Sequence, residues 1–284
     1  MTVAIFGNTL KPSTLHEVSR IIEFMHLNNV QIVLSQELRQ ELNLREFPEY
    51  NNTLFEQIPH IDFAISVGGD GTFLTTASHI GSRGIPIIGI NCGHLGFLAD
   101  VQTQEVDVIL EKLLKGDYKI DERNLLSVFS LEDRHIVSPY ALNEIAVMKQ
   151  GLSSMISIET YVNGEYLNTY EADGLIVATP TGSTAYNLSV GGPLMMPQTS
   201  GILLSPIATH SLYARPLVIP DNWKIDLSIK SRNSNYLISV DGRSQVMADS
   251  NTLHIEKSPY TIKLIQIGDS SFIQSLKNKL NWGK

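Results

Sequence analysis

Five consecutive residues, Gly68-Gly69-Asp70-Gly71-Thr72, set three glycines around one carboxylate at the end of the apolar run Ile61–Val67. The segment Phe73–Ile80 that follows suits a helix. A strand that empties into glycines at a helix start is a phosphate-site architecture. Bare backbone approaches an anion closely, and the first N–H groups of the helix add donors and a favourable dipole. A carboxylate in that place repels phosphate unless it has another task, and two tasks fit Asp70: holding a metal ion, or accepting a proton from an attacking hydroxyl. The bland alternative is a Gly-Asp-Gly turn whose carboxylate only caps Phe73–Ile80. The block lacks the Lys-Ser/Thr end of a P-loop, and its spacing is not that of a Rossmann dinucleotide fingerprint.

A second run extends from Asp173-Gly174 through Leu175–Thr179 into Pro180-Thr181-Gly182-Ser183-Thr184-Ala185-Tyr186, and on through Asn187-Leu188-Ser189 to Gly191-Gly192-Pro193. Here too a buried strand opens into a loop, this time of hydroxyls and glycine. Backbone N–H groups and hydroxyls suit a polar ligand, and Tyr186 offers a flat face that stacks on a heteroaromatic ring. Its alternative reading is a solvent-exposed Ser/Thr-rich turn. His210, alone before Ser211, reads as a hydrogen-bonded structural residue.

The elements that must position these loops follow from patterning. Val3–Phe6, Val30–Leu34, Ile61–Val67 and Ile85–Ile90 are short β-branched runs. Between and after them lie helical spacings: Leu15, Val18, Ile22 and Met25 behind a Ser13 N-cap, then Phe73–Ile80 closed by Gly81 and Gly84, then Val106–Leu114. That alternation predicts βαβ units and a parallel sheet. A polar stretch around Asn43–Asn52 interrupts it. From about Asp121 short strands take over, with Asn163-Gly164 and Asp241-Gly242 as two-residue hairpin turns that need positive φ. The expected strands are Leu125–Leu131, Met155–Val162, Leu175–Thr179, Trp223–Ser231, Tyr236–Val240, Leu253–Lys257 and Thr261–Ile267. Phe272–Leu280 carries apolar residues at helical spacing. The expected domains are 1–120, α/β with a Rossmann-like parallel sheet; 121–267, β-rich and sandwich-like; and 268–284, a C-terminal segment packing back on the first, with the active site in a cleft between the two domains.

Composition narrows the function classes. With 284 residues, about two domains are expected. A formal net charge of -8 argues against a nucleic-acid coat. Cys92 is the only cysteine, so no intrachain disulfide forms, and it reads as a small core residue. The start Met1-Thr2-Val3-Ala4-Ile5-Phe6 lacks the marks of a signal peptide, and no apolar stretch reaches the roughly 20 residues that span a bilayer. A cytoplasmic protein with no membrane partner is expected.

The Gly68–Thr72 block resembles the shared signature of NAD kinases, diacylglycerol-type lipid kinases and, more loosely, 6-phosphofructokinases, all of which phosphorylate hydroxyls. The run from Asp173 to Pro193 resembles the second signature of NAD kinases. In register with both, Leu142-Asn143-Glu144 matches the Asn-Glu pair that family uses for the adenosine part of its substrate. The resemblance runs from about residue 61 to 193, with looser support from His210–Leu217 and Val240-Asp241-Gly242.

The resemblance implies a kinase that transfers the γ-phosphate of ATP to the 2′-hydroxyl of the adenosine ribose of NAD, giving NADP, with Mg2+ arriving on the ATP. It makes Asp70 the proton acceptor and seats the triphosphate over Gly68, Gly69, Gly71 and Thr72. Gly71 and Phe73 would flank the site. Asn143 and Glu144 would bind adenosine, Asp173 would touch the dinucleotide, and Thr184, Ala185, Tyr186, Asn187, Leu188 and Ser189 would line the base and ribose pockets. A homodimer or homotetramer is also implied. Glu171 stands where a basic residue is expected in the family, which leaves the choice between NAD and NADH open. A lipid or other small-molecule kinase sharing the glycine block, and a non-catalytic nucleotide-binding regulator, are the competing readings.

Overall fold

The computed structural model describes residues 1–42, 55, 58–93, 96–132, 136, 138–151, 155–268 and 271–281. The polar stretch around Asn43–Asn52 lies outside them. The chain divides into two compact units, Met1–Glu122 with Ile262–Lys284, and Arg123–Thr261.

In the first unit β1 (Thr2–Gly7), α1 (Pro12–Leu27), β2 (Gln31–Leu34), α2 (Gln36–Glu41), β3 (Phe63–Gly68), α3 (Asp70–Ile80), β4 (Ile87–Asn91), β5 (Val101–Gln102) and α4 (Val106–Lys115) follow one another. The four main strands are parallel in the order β2-β1-β3-β4. Helix α1 starts at Pro12 with Lys11 at the cap, not at Ser13, because proline arrives with its φ already helical and its missing N–H is no loss in a first turn. Its buried face is Val18, Ile21, Ile22 and Met25, packed on Ile5, Ile65 and Ile90 of the sheet, with Cys92 at the edge of this core. The strand order turns back between β1 and β3. Open α/β sheets bind ligands at the carboxyl ends of their strands beside such a reversal, and Gly7 and Gly68 are the last residues of those two strands.

The second unit contains β6 (Lys119–Phe129, which begins in the first), β7 (Tyr140–Ala141), β8 (Glu144–Lys149), β9 (Ile156–Val162), β10 (Glu165–Ala172), β11 (Gly174–Ala178), the single-turn α5 (Tyr186–Ser189), β12 (Ile202–Ile207), β13 (Leu217–Ile219), β14 (Ile225–Lys230), β15 (Asn235–Val240), β16 (Arg243–Ala248) and most of β17 (Thr252–Gln266). One antiparallel sheet runs β13-β12-β11-β8-β15-β16, and another contains β10-β9-β14-β17. Their facing residues, among them Ile145, Val177, Ile158, Leu227 and Tyr236, form one core, which makes this unit a sandwich. The opposite face of β8, β11 and β12 is also apolar and is covered by Val190 and Met195 from the loop after β11. Both hairpin turns expected from sequence are present, with Asn163 at φ 51°, Gly164 at 79°, Asp241 at 48° and Gly242 at 81°. Strand β17 is one element where two were expected: Pro259 is exposed and does not interrupt it.

Helix α6 (Phe272–Leu280) belongs to the first unit, where Phe272 packs on Phe97 with ring centroids 6.0 Å apart. Among the described residues no helix is long and apolar enough to cross a membrane.

Candidate active site

The glycine block lies at the end of β3. Gly68 adopts φ +155°, and a Cβ there would collide with the Thr72 side chain, so this position takes glycine alone. Gly69 caps α3, and Asp70 is the first residue of that helix, three positions earlier than the helix expected from sequence. The carboxylate therefore sits at a helix N-terminus, where negative charge is favoured. Its main partners come from the loop before β5. Phe97 N–H donates to Oδ2 at 2.7 Å, while Leu98 and Ala99 N–H donate to Oδ1 at 3.0 and 2.9 Å. A Cβ on Gly96 would strike the same carboxylate. Oδ2, with one amide among the described residues, retains a lone pair for a further donor. Phe73 turns fully into the core. A cavity of about 300 Å3 opens beside the block, lined by Asn8, Thr9, Ser35, Gly71, Thr72 and Thr75 among others, at the strand reversal.

The second cluster lies wholly in the second unit. Strands β8 and β11 are antiparallel neighbours with Glu144 opposite Ala178, so the Asn-Glu pair stands beside the loop that leaves β11. Thr179 N–H donates to the Asn143 carbonyl at 2.9 Å and its hydroxyl to the Leu142 carbonyl at 2.5 Å. Gly182 packs so tightly on Asn143 that a Cβ would overlap the Asn143 carbonyl. Asp241 then clamps the pair from the hairpin turn: Oδ2 accepts from Leu142 N–H at 2.8 Å, and Oδ1 from Asn143 and Glu144 N–H at 2.8 and 3.1 Å.

Glu144 is buried and its Oε2 has no hydrogen-bond partner among the described residues. Burial, and after it the charge of Asp241, push its carboxyl up to about 7, against an N–H donated by Tyr186. Folded protein thus holds this proton where the unfolded chain, with an ordinary value near 4.5, has released it. The group is neutral toward stability below that value and costs most above pH 7, on the order of 3 kcal/mol at the upper bound. Replacing Glu144 by Gln is therefore expected to raise the melting temperature at pH 8 and to leave it nearly unchanged at pH 4. Thermal melts at the two pH values read the difference.

The remaining sequence candidates divide by position. Thr184, Ala185, Leu188 and the exposed Tyr186 and Ser189 lie in the turns that follow β11, and of these Tyr186 reaches the Glu144 carboxylate through its N–H. Asn187 instead turns inward: its amide donates to the carbonyls of Ser183 and Pro193 and accepts from the Ser205 hydroxyl at 2.6 Å, so it holds the loop's shape. Asp173 lies at the opposite end of β11, about 20 Å along the strand from Thr179 at the usual rise per residue, and is ion-paired with Lys149 at 2.7 Å. Glu171 is exposed, and its main-chain carbonyl accepts from His210 N–H.

Lys149, Asp241 and the amides of 97–99 do not stand out in the sequence. Lys149 ends β8, a strand that is not among those expected from the sequence. Asp241 is sufficiently explained by its turn, which hides its second role, and amide donors leave no trace in side-chain chemistry.

The comparisons with known proteins agree with this arrangement. The family model described as ATP-NAD kinase N-terminal domain matches residues 3–118, and that described as ATP-NAD kinase C-terminal domain matches 142–267. An NAD kinase of Bacteroides fragilis is 42% identical over 290 residues, covering 100% of this chain and 98% of the relative. One from Flavobacterium psychrophilum is 42% identical over 292 residues, with 100% and 99% covered. Among solved structures, yeast NADH kinase complexed with NADH superposes with a TM-score of 0.86 at 26% identity, covering 100% of this chain and 88% of the other. An NAD kinase from Archaeoglobus fulgidus in complex with ATP gives 0.77 at 27% identity, with 99% of each chain covered.

Proposed function

Since this chain belongs to the NAD kinase family, and is thereby a phosphotransferase that produces NADP, we propose that Asp70 accepts the proton of the adenosine ribose 2′-hydroxyl while ATP presents its γ-phosphate over Gly68, Gly69, Gly71 and Thr72. A ribose hydroxyl is a weak nucleophile, and a positioned carboxylate that takes its proton is worth about 10²–10⁴-fold. The rest of the barrier falls to alignment and charge neutralisation. The free lone pair on Asp70 Oδ2 supports the first role. The cavity beside Thr72 and Thr75, lined by hydroxyls and the start of α3, supports the seat of the triphosphate. The solved relative that holds ATP points the same way.

The observation that carries the acceptor assignment is the buried, unpartnered Oε2 of Glu144. A carboxylate whose Oε2 has no donor in the free protein, among the described residues, suits a ribose diol, whose hydroxyls supply what is missing. Tyr186 stacks on the adenine, and Asn143 with the backbone around Thr184–Ser189 closes the pocket. A dinucleotide is long enough to run on toward Asp173 and its ion-pair partner Lys149. Mg2+ carried by ATP would be bound through phosphates and water and would need only one or two protein carboxylates, of which Asp70, at the start of α3, is the nearest to the glycine block. When bound, the ion would neutralise phosphate charge. The same reading makes the protein a cytoplasmic homodimer or homotetramer.

Purified protein supplied with ATP, Mg2+ and either NAD or NADH is expected to form a product that an NADP-specific dehydrogenase accepts. No such product from either acceptor would overturn the proposal.

A further inference from the structure

The one ammonium of α6 that turns inward has no hydrogen-bond partner among the described residues. Lys279 Nζ is buried and makes no hydrogen bond among the described residues, although it lies only 4.1 Å from the centroid of the Phe97 ring. A buried ammonium with three unused donors has lost its hydration without replacement, an arrangement that native proteins keep only for a reason. The fields of Asp70 and Asp100 favour its charge, but burial outweighs them and pulls the amine down to about 8.

We propose that Lys279 is a phosphate-binding residue of the catalytic centre, meeting an oxyanion of the nucleotide bound beside Asp70. The inference rests on the reading of Asp70 given above and adds a residue from the far end of the chain. Phe97 ties the parts together: its N–H holds Asp70 Oδ2 and its ring carries the Lys279 ammonium, so one residue fixes the carboxylate and the cation relative to each other. Phe272, packed on the same ring, anchors the helix that delivers Lys279. Because Nζ is buried, the ammonium must swing out from the Phe97 ring to meet the oxyanion, and among the described residues it breaks no hydrogen bond in doing so. The ammonium regains the partner it lacks, and an anion charged by phosphoryl transfer gains a fixed cation in a site of low dielectric. No bond to Lys279 forms or breaks.

The test uses the full chain, Lys279→Met and Lys279→Arg, with inorganic tripolyphosphate as probe in calorimetry and thermal melting alongside. Lys279→Met is expected to weaken tripolyphosphate binding about tenfold or more at pH 7 and yet to melt at or above the wild-type temperature, since a buried orphan charge is replaced by an apolar chain of similar length. Lys279→Arg should retain most of the affinity. Wild-type affinity should fall as pH rises through about 8, and the Met variant should lack that step. Equal affinity in wild type and Lys279→Met overturns the proposal. So does a lowered melting temperature with binding lost in both variants, because the lysine would then serve helix packing. Tripolyphosphate binding is read without turnover, so absence of NADP formation would count against the kinase reading, while the calorimetry alone decides for or against Lys279.

Discussion

Asp70→Asn is expected to slow NADP formation by about 10²–10⁴-fold with the fold retained. The substitution keeps the size of the side chain and removes its ability to take a proton. It also disturbs the loop before β5. The single amide oxygen can still serve Leu98 and Ala99, but the NH2 group then faces Phe97 N–H, donor against donor, at a cost of about 1–3 kcal/mol. The two consequences separate experimentally. Single-turnover rates report the chemistry, and hydrogen exchange at Phe97, Leu98 and Ala99 reports the clamp. Near-normal rates with accelerated exchange would make Asp70 a loop clamp and refute its role as proton acceptor.

A second carboxylate is built on the same plan. Asp241, like Asp70, ties three consecutive backbone amides, here those of the segment that presents Asn143 and Glu144. Asp241→Asn is expected to destabilise the protein by about 3 kcal/mol, less than three charge-assisted hydrogen bonds would suggest, because burial already raises the Asp241 carboxyl and offsets part of their gain. Urea unfolding measures this. The functional consequence is as large. With the clamp loosened, KM for NAD should rise about tenfold or more while KM for ATP changes little. The Glu144 carboxyl, freed from the Asp241 charge that helps raise it, should titrate at lower pH. An unchanged KM for NAD would show that the clamp is structural only.

Much of this arrangement is legible in the sequence, and the exceptions have a common cause. The β-branched runs and the three- and four-residue spacings locate β1, α1, β3 and β4 because each pattern is local. The order β2-β1-β3-β4 is not legible, since the same alternation is compatible with other parallel orders, yet that order places the glycine block at the strand reversal. The Asp70 and Asp241 clamps escape for the same reason: one reaches about 27 residues along the chain and the other about 98, to backbone donors that any sequence carries. Asn187 reads as a pocket residue because a loop rich in polar groups looks alike whether they face ligand or one another. In β17, Ser258-Pro259 looks like a break, but an exposed proline leaves the strand whole.

The central claim is that one hydroxyl, on the adenosine ribose, receives the phosphoryl group beside Asp70. The most direct test is 31P NMR of the product formed from ATP and NAD. The account predicts a single new phosphomonoester resonance assigned to the ribose 2′ position, formed in step with ADP and nearly lost in Asp70→Asn. A phosphate on any other hydroxyl, or ADP released with no phosphorylated dinucleotide, would contradict it.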